Sequence, residues 1–283
     1  MKIKPDKNQS KANISKKKLL TLNRTCIVLN MSFKNKVVII TGASSGIGAA
    51  TAIQFAKEGA NVVLVGRNPE RLQNVFQVCS QFGGKHLQIK ADVTVKEDLK
   101  RIVQETVKTF EKIDVLVNNA GIAKYTTIAD ENIFEVFNAI YSNNLRGTVY
   151  LTHLVAPYLI KTKGNIVNVA SVAGSMPPLM PVMIIYASAK AALIHFTQGA
   201  AAELATKGVR VNAVSPGPVS TDLLRKAGLN KSHEELNLVA PVGSPSTPEE
   251  VADLILFMAS DRAHTINGTE LLADKGFKTQ APT

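Results

Sequence analysis

The chain has only two cysteines among its 283 residues, Cys26 and Cys79. Two cysteines do not make a disulfide framework, so a reducing compartment, here the cytoplasm, is favoured. Because cysteines are so few and no histidine/cysteine cluster occurs, we expect no zinc site and assign no metal ligands. The sequence also lacks any run of about 18 apolar residues, so we expect no membrane-spanning segment.

Acidic residues are nearly absent from the first thirty positions. Residues 1–30 hold eight Lys or Arg against one acid, Asp6, and thus carry +7 of the net charge of +11. Residues 31–283 carry the other +4, a modest charge that suits a phosphate-bearing cofactor and does not indicate nucleic-acid binding. We interpret residues 1–30 as a basic, disordered or non-native extension, with organelle targeting or an arm for an acidic surface as alternatives. Residues 31–283 are the expected catalytic domain.

Short, continuously apolar runs alternate with helical segments from Lys36 onward. Continuous apolar character is typical of strands buried on both faces, and the intervening segments are long enough for crossover helices. We predict a doubly wound α/β fold of the Rossmann type, a seven-stranded parallel sheet with helices on both faces. The predicted strands are residues 37–41, 61–66, 86–93, 113–121, 164–171, 209–217 and 268–274.

Two further segments carry local signals. Thr247-Pro-Glu-Glu250 is a capping box with proline at the first helical position, and it predicts a helix start. Residues 220–246 show no clear periodicity, and long segments of this kind are often lids or binding loops.

A glycine-rich turn, TGASSGIG, directly follows the first predicted strand and precedes a helical pattern. This order places backbone N–H groups and a helix N-terminus where a pyrophosphate would lie. The glycine spacing differs from GxGxxG, and a tight turn without a ligand is the alternative. The candidate cofactor-binding residues here are Gly42, Ser44, Ser45, Gly46, Ile47 and Gly48.

The second predicted strand ends in Val65-Gly66-Arg67-Asn68-Pro69, without a carboxylate. An acidic residue at this point would bind the ribose 2′-hydroxyl of NAD, whereas Arg suits the 2′-phosphate of NADP. We therefore favour NADP(H) as the cofactor and keep NAD(H) as the alternative, in which Arg67 is a solvated loop residue.

Tyr186 and Lys190 lie four residues apart in an alanine-rich segment, residues 186–205, for which we predict a helix. Residues i and i+4 share a helix face. At about 4 Å and an effective dielectric constant of about 20, the ammonium favours the phenolate by roughly 4 kcal/mol, or about 3 pKa units before desolvation is counted. We therefore expect the phenol pKa near ~7, where acid–base catalysis is efficient. A surface lysine beside a half-buried tyrosine is the structural alternative.

From about Met31 to Asp274 the chain resembles the short-chain dehydrogenase/reductase family, and within it the NADP-linked carbonyl and 3-oxoacyl-thioester reductases. The resemblance rests on motifs that occur in the family's order: TGASSGIG, Asp92-Val-Thr94, Asn118-Asn-Ala-Gly121, Asn144, Ser171, YASAK and Pro216-Gly217. The combination is specific, although each motif alone is weak.

The resemblance implies roles for the matching positions. Asp92 and Val93 would flank the adenine, and Asn119 with Gly121 would line the ribose side. The residues expected to border the nicotinamide are Pro216, Gly217, Val219 and Thr221.

The resemblance also implies a catalytic set. Ser171 would bind the substrate oxygen and Tyr186 would protonate it, while Lys190 would lower the phenol pKa and hold the nicotinamide ribose. Asn144, chosen over the adjacent Asn143, would support a proton path to Lys190.

The sequence departs from the family pattern at two places. Ser171 and Tyr186 are 15 residues apart, about two more than the family spacing, and we expect the extra length in SMPPLMPVMII to bulge outward. Lys275 stands where the family has a glycine, so the local turn and subunit contacts are expected to differ.

We thus expect an NADPH-dependent reductase of a small-molecule ketone or 3-oxoacyl group. An NAD-linked alcohol or steroid dehydrogenase is the second hypothesis, and a catalytically weak NADP-binding sensor or scaffold is the third. The helix after Tyr186 is apolar nearly all round, which predicts burial on more than one side and a homo-oligomer, dimeric or tetrameric.

Overall fold

The computed structural model describes residues 32–178, 180–229, 235–236, 238, 240–243 and 245–280. The basic extension predicted for residues 1–30, and part of the loop predicted for residues 220–246, lie outside these ranges. The described strands are β1 (Val37–Thr41), β2 (Asn61–Gly66), β3 (Leu87–Lys90), β4 (Val115–Asn118), β5 (Asn165–Val169), β6 (Arg210–Pro216) and β7 (Glu270–Ala273).

The seven strands form one parallel sheet in the order β3-β2-β1-β4-β5-β6-β7, which confirms the predicted fold class. The direction of winding reverses between β1 and β4, and ligands of such sheets bind at this switch point, beyond the carboxyl ends of the strands. β3 is shorter than predicted. Its ladder ends where Lys90 faces Gly66, because Asp92 then turns the chain by accepting hydrogen bonds from the backbone and hydroxyl of Thr94.

Helices cover both faces of the sheet. Successive residues of β1 point to opposite faces, so Val38 and Ile40 pack into one apolar cluster and Val37 and Ile39 into the other. The helices are α1 (Gly46–Lys57), α2 (Pro69–Ser80), α3 (Lys96–Phe110), α4 (Ile133–Tyr141), α5 (Gly147–Thr162), α6 (Ile184–Ala205), α7 (Leu223–Lys226) and α8 (Pro248–Ala259). Helix α6 thus confirms the helix predicted for residues 186–205 and begins slightly earlier.

A buried chain of hydrogen bonds fixes α6 against the sheet. The amide of Asn118, at the end of β4, donates to Asn168 Oδ1 on β5 over 2.9 Å. Asn168 Nδ2 in turn donates to Thr197 Oγ1 on α6, also over 2.9 Å. All three side chains are at most 3% exposed. Since buried amides need partners, this chain sets both the position and the rotation of α6.

Side-chain contacts fix the start of α8 and the turn that follows β7. Thr247 Oγ1 accepts from the Glu250 backbone and the Glu250 carboxylate accepts from the Thr247 backbone, so the predicted capping box at the start of α8 is confirmed. Lys275 adopts a left-handed backbone with φ of 51°, a conformation that favours glycine. Its ammonium pairs with Glu250 at 2.9 Å, which ties this turn to α8.

The described residues lack two features that would change the functional interpretation. Among them, no helix combines the length and apolar character that a bilayer crossing requires. The same residues contain no group of three or more His, Cys, Asp or Glu side chains arranged to hold a metal ion.

Candidate active site

One cavity of about 1470 Å³ opens at the carboxyl ends of the strands. Single ligands commonly occupy roughly 300–1,000 Å³, so this volume suits a cofactor together with a substrate. The sequence-predicted residues on its wall are Gly42, Ser44, Ser45, Gly46, Ile47, Arg67, Asp92, Val93, Asn119, Gly121, Ser171, Tyr186, Lys190, Pro216, Gly217, Val219 and Thr221. Gly48 and Asn144 lie behind the wall.

The glycine turn between β1 and α1 forms one end of the cavity. Gly42 has φ of 69°, and a Cβ added there would lie 2.8 Å from Asn119 Nδ2. That amide is held in place because it donates to Thr41 O over 2.9 Å, while Thr41 Oγ1 accepts from the Asn119 backbone over 3.0 Å. Gly48 packs against the carbonyl of Gly42. A side chain at either glycine would displace the turn, so the two glycines allow the turn to pack closely against Asn119.

Ser171, Tyr186 and Lys190 meet beyond the end of β5. Ser171 caps a short 3₁₀ turn, Val172–Gly174, by accepting from the Ala173 backbone, and its hydroxyl lies beside the Tyr186 phenol. Lys190 Nζ lies 5.8 Å from the centre of the Tyr186 ring and donates to Val169 O over 2.7 Å. Tyr186 is 6% exposed and Lys190 4%. The three side chains converge as predicted.

The expected pKa of Tyr186 is wrong in direction. Burial raises the pKa of the Tyr186 phenol above its ordinary value, Tyr125 adds to the rise, and the hydrogen bond with Ser171 only partly opposes it. Burial likewise lowers the pKa of Lys190 to about 8. The sequence argument counted the attraction of the ammonium for a phenolate, whereas the loss of water around both groups dominates here.

We expected the long connection from Ser171 to Tyr186 to bulge outward, but part of it faces the cavity. Its residues Met176, Met180 and Met183 line the cavity. Val182 O accepts from the Thr126 backbone over 2.9 Å, which ties the connection to the segment after β4. The added length therefore forms a wall of the cavity beside Tyr186.

Asn144 lies in a π-helical turn, Ser142–Arg146, between α4 and α5. Its side chain accepts from the Ile122 backbone over 2.8 Å and donates to Ile122 O over 2.9 Å. A Cβ added at Gly121 would lie 3.6 Å from Asn144 Oδ1 and 3.7 Å from Lys190 Nζ, so these groups are neighbours. Asn143, which the sequence analysis set aside, lines the cavity, and its buried Oδ1 has no hydrogen-bond partner in the described structure.

Cationic side chains gather beside the glycine turn. Arg67 lies 3.7 Å from Asp92, so the end of β3 supplies a carboxylate that the end of β2 lacks. Arg71 and Lys226 also line this part of the cavity, and the sequence analysis missed both. Arg67 precedes α2 and Arg71 lies in its first turn, so both follow the end of β2, whereas Lys226 lies in the segment without periodicity.

The opposite wall comes from the end of β6. The Gly217 backbone donates to Ala273 O over 3.1 Å, and a Cβ at Gly217 would crowd Asp274 at 3.0 Å. Val219 then pairs with Ser246 in an isolated parallel bridge. These contacts hold Pro216, Val219 and Thr221 along the cavity.

Comparisons with known proteins agree with this architecture. A family model described as Enoyl-(Acyl carrier protein) reductase matches residues 42–278. The 3-oxoacyl-[acyl-carrier-protein] reductase FabG of Thermotoga maritima is 38% identical over 87% of this chain and 99% of its own length. Cyclohexanol dehydrogenase of an Acinetobacter species is 34% identical over 89% of this chain and 99% of its own length.

A solved structure, a short-chain dehydrogenase/reductase of unknown function from Caenorhabditis elegans with cofactor, is 38% identical with a TM-score of 0.81. The match covers 89% of this chain and 99% of that one. The chain belongs to the short-chain dehydrogenase/reductase family. Members of this family are oxidoreductases that act on carbonyl or alcohol groups with a nicotinamide cofactor.

The cavity of this short-chain dehydrogenase/reductase fits a nicotinamide dinucleotide. The glycine turn lines the cavity at the N-terminus of α1, where backbone N–H groups can bind phosphates. The adjacent cations, Arg67, Arg71 and Lys226, match the negative charge of those phosphates.

Replacing Lys190 by Met should give a stability difference from the wild type that depends on pH. An unfolded lysine has a pKa near ~10.4, whereas burial holds the pKa of Lys190 at about 8. Between these values the unfolded state binds more protons, so wild-type stability rises with pH, by up to about 3 kcal/mol. The free energy of unfolding of Lys190→Met relative to wild type should therefore fall between about pH 7 and pH 10.

Urea unfolding at both pH values measures this difference. Lys100→Met, on the exposed face of α3, is the control and should differ from the wild type by the same amount at each pH. A Lys190→Met difference that is equally independent of pH would contradict the assigned burial cost.

Proposed function

We propose that this protein is an NADP(H)-dependent reductase that converts a ketone to a secondary alcohol. The observation that carries the proposal is the buried Tyr186 phenol, beside Ser171 and Lys190, in the cavity that also contains the glycine turn. Burial raises the phenol pKa, so Tyr186 stays protonated at neutral pH. A protonated phenol can donate the proton that reduction of a ketone requires.

Each member of the set has one task. Tyr186 Oη donates its proton to the substrate oxygen, and Ser171 Oγ hydrogen-bonds the same oxygen and orients it. Lys190, held by Val169 O, keeps a positive charge next to the phenol. Asn144, adjacent to Lys190 across Gly121, supports a proton path to the ammonium. The nicotinamide cofactor, when bound, supplies the hydride.

The cofactor assignments follow the walls of the cavity. Ser44, Ser45, Gly46 and Ile47 of the glycine turn receive the pyrophosphate, and Gly42 and Gly48 shape that turn. Arg67 receives the 2′-phosphate. Because Arg67 also pairs with the Asp92 carboxylate, NAD(H) remains the weaker alternative. The remaining cofactor contacts are Asp92 and Val93 at the adenine, Asn119 and Gly121 at the ribose, and Tyr186, Lys190, Pro216, Gly217, Val219 and Thr221 around the nicotinamide and its ribose.

Tyr186→Phe should lower kcat for ketone reduction by at least about 100-fold, because the substrate oxygen loses its proton donor. NADPH oxidation measures turnover, and the affinity for NADPH should change by no more than about threefold. Tyr158→Phe, on α5 away from the cavity, is the matched control. Full turnover of Tyr186→Phe would remove the proposed acid, and a wild type that binds NADPH but turns over no carbonyl would favour the scaffold function.

The substrate end of the cavity is apolar. We define the apolar lobe as the cavity-lining residues Met176, Met180, Met183, Leu223, Leu238 and Phe277. Met183 and Leu223 pack in the cluster that contains Tyr186, and Met176 and Leu238 pack around Phe277. Unbranched methionines adapt to varied apolar shapes. The lobe supports a ketone on an apolar skeleton as the substrate class.

In a series of methyl ketones from 2-butanone to 2-octanone, kcat/KM should rise roughly fourfold per methylene until the lobe is filled, since each buried CH₂ contributes about 0.8 kcal/mol. Met180→Ser should flatten this rise, and Ser80→Ala, at the end of α2 that does not line the cavity, should leave it unchanged. A series without slope would contradict the apolar substrate class and leave the reductase chemistry intact.

A 3-oxoacyl thioester is the second candidate substrate, favoured by the similarity to the FabG reductase. Its acyl chain also fits the apolar lobe, but its carrier is polar and charged. If kcat/KM is higher for acetoacetyl-coenzyme A than for a methyl ketone of equal chain length, the thioester is the preferred substrate.

We further propose that the protein is a homo-oligomer and that α4 and α5 form its interface. Phe134 is 78% exposed, Phe137 39% and Val149 38%. Phe137, Val149, Tyr141 and Tyr150 line a groove of about 690 Å³ between these helices, and Phe134 lies on α4 one turn before Phe137. Exposed apolar surface of this kind is typical of protein contacts, and the family is commonly oligomeric.

Phe134→Asp should shift the protein towards the monomer, because a charge at the centre of an apolar contact is costly to bury. Light scattering at micromolar concentration measures the mass. Phe82 is also exposed but is distant in sequence from α4 and α5, so Phe82→Asp is the control and should keep the wild-type mass. A wild type that is already monomeric would contradict this interface.

A further inference from the structure

The segment after β6 contacts the glycine turn at several points. We call residues 221–226 the clasp. A Cβ added at Gly46 would lie 3.3 Å from the methyl group of Thr221. Lys226 Nζ donates to Ser45 Oγ over 3.2 Å. Asp222 lies 3.7 Å from Arg71 on α2. The clasp therefore borders the cofactor end of the cavity from the side opposite β2.

The clasp also completes a cationic cluster, which we define as Arg67, Arg71, Arg225 and Lys226. Asp92 pairs with Arg67, and Asp222 is shared by Arg71 and Arg225 at 3.7 and 3.0 Å. In the described structure, two carboxylates thus face four cations, which leaves an excess of two positive charges. A phosphate monoester carries close to two negative charges at neutral pH, so it matches this excess.

Lys226 experiences the excess charge directly. Burial lowers the pKa of its ammonium, Asp222 opposes the change, and repulsion from Arg71, Arg225 and Arg67 lowers the pKa further. The hydroxyl of Ser45 is a neutral partner and does not relieve this repulsion. An anion placed among these groups would relieve it.

We propose that Lys226 is a second specificity-determining residue for the cofactor, which binds the 2′-phosphate together with Arg67 and holds the clasp on the glycine turn when that phosphate is present. The proposal rests on the NADP(H) preference proposed above. Leu223, within the same clasp, packs in the cluster that contains Tyr186. NADP(H), unlike NAD(H), therefore orders a wall of the apolar lobe as well as its own site.

Isothermal titration with NADP⁺ and NAD⁺ tests the contact without turnover. Lys226→Met removes a charge-assisted hydrogen bond to the 2′-phosphate. We therefore expect NADP⁺ binding to weaken roughly tenfold to 100-fold, while NAD⁺ binding stays within about twofold. Lys226→Arg should recover most of the loss, and Lys100→Met is the matched surface control. Wild-type protein that binds NAD⁺ as tightly as NADP⁺ would refute the cofactor preference. A preference for NADP⁺ that survives Lys226→Met would refute only the role of Lys226.

Trypsin cleavage tests the clasp itself, because Arg225 and Lys226 are exposed cleavage sites. Saturating NADP⁺ should slow cleavage at these residues at least about fivefold more than saturating NAD⁺ does. In Lys226→Met, cleavage after Arg225 should be slowed equally by both dinucleotides. Equal protection in the wild type would contradict phosphate-dependent closure.

Discussion

The hydrogen bond from Asn168 on β5 to Thr197 on α6 is the contact on which the site depends. Tyr186, Lys190 and Thr197 follow a spacing of four and seven residues, so they share one face of α6. Thr197 is held by a fully buried amide, and Lys190 by the carbonyl of Val169 at the end of the same strand. A rotation of α6 would leave the buried groups unpaired. The polar chain thus aligns the phenol and ammonium with Ser171.

Burial explains why the electrostatics of the site differ from the expectation for an isolated pair. In water-like surroundings a nearby ammonium would lower the phenol pKa, but here both groups have lost their hydration. Lys190 satisfies its ammonium through the Val169 carbonyl and lies near the face of the tyrosine ring. The resulting pair favours a neutral phenol.

Much of the fold follows from local patterns, because buried parallel strands and crossover helices have distinct periodicities. The runs at residues 37–41 and 61–66 match β1 and β2 without adjustment, while β3 is shorter because the Asp92 turn ends its pairing with β2. Most predicted site residues line one cavity since they follow strands whose carboxyl ends meet at one edge. Lys226 and the cavity-lining methionines could not be found this way. Their positions depend on contacts with distant segments, such as Ser45 and Thr126, which no local pattern encodes.

The clasp joins two regions of opposite chemistry within a single helical turn. Asp222, Arg225 and Lys226 are spaced i, i+3 and i+4, so one face of the turn carries charges towards the cationic cluster. Leu223 is offset from this face and packs with the residues around Tyr186. Because a helical turn moves as a unit, any force that draws Lys226 to the glycine turn also positions Leu223. If Lys226 binds the 2′-phosphate as we propose, the same helical turn links the choice of cofactor to the shape of the apolar lobe.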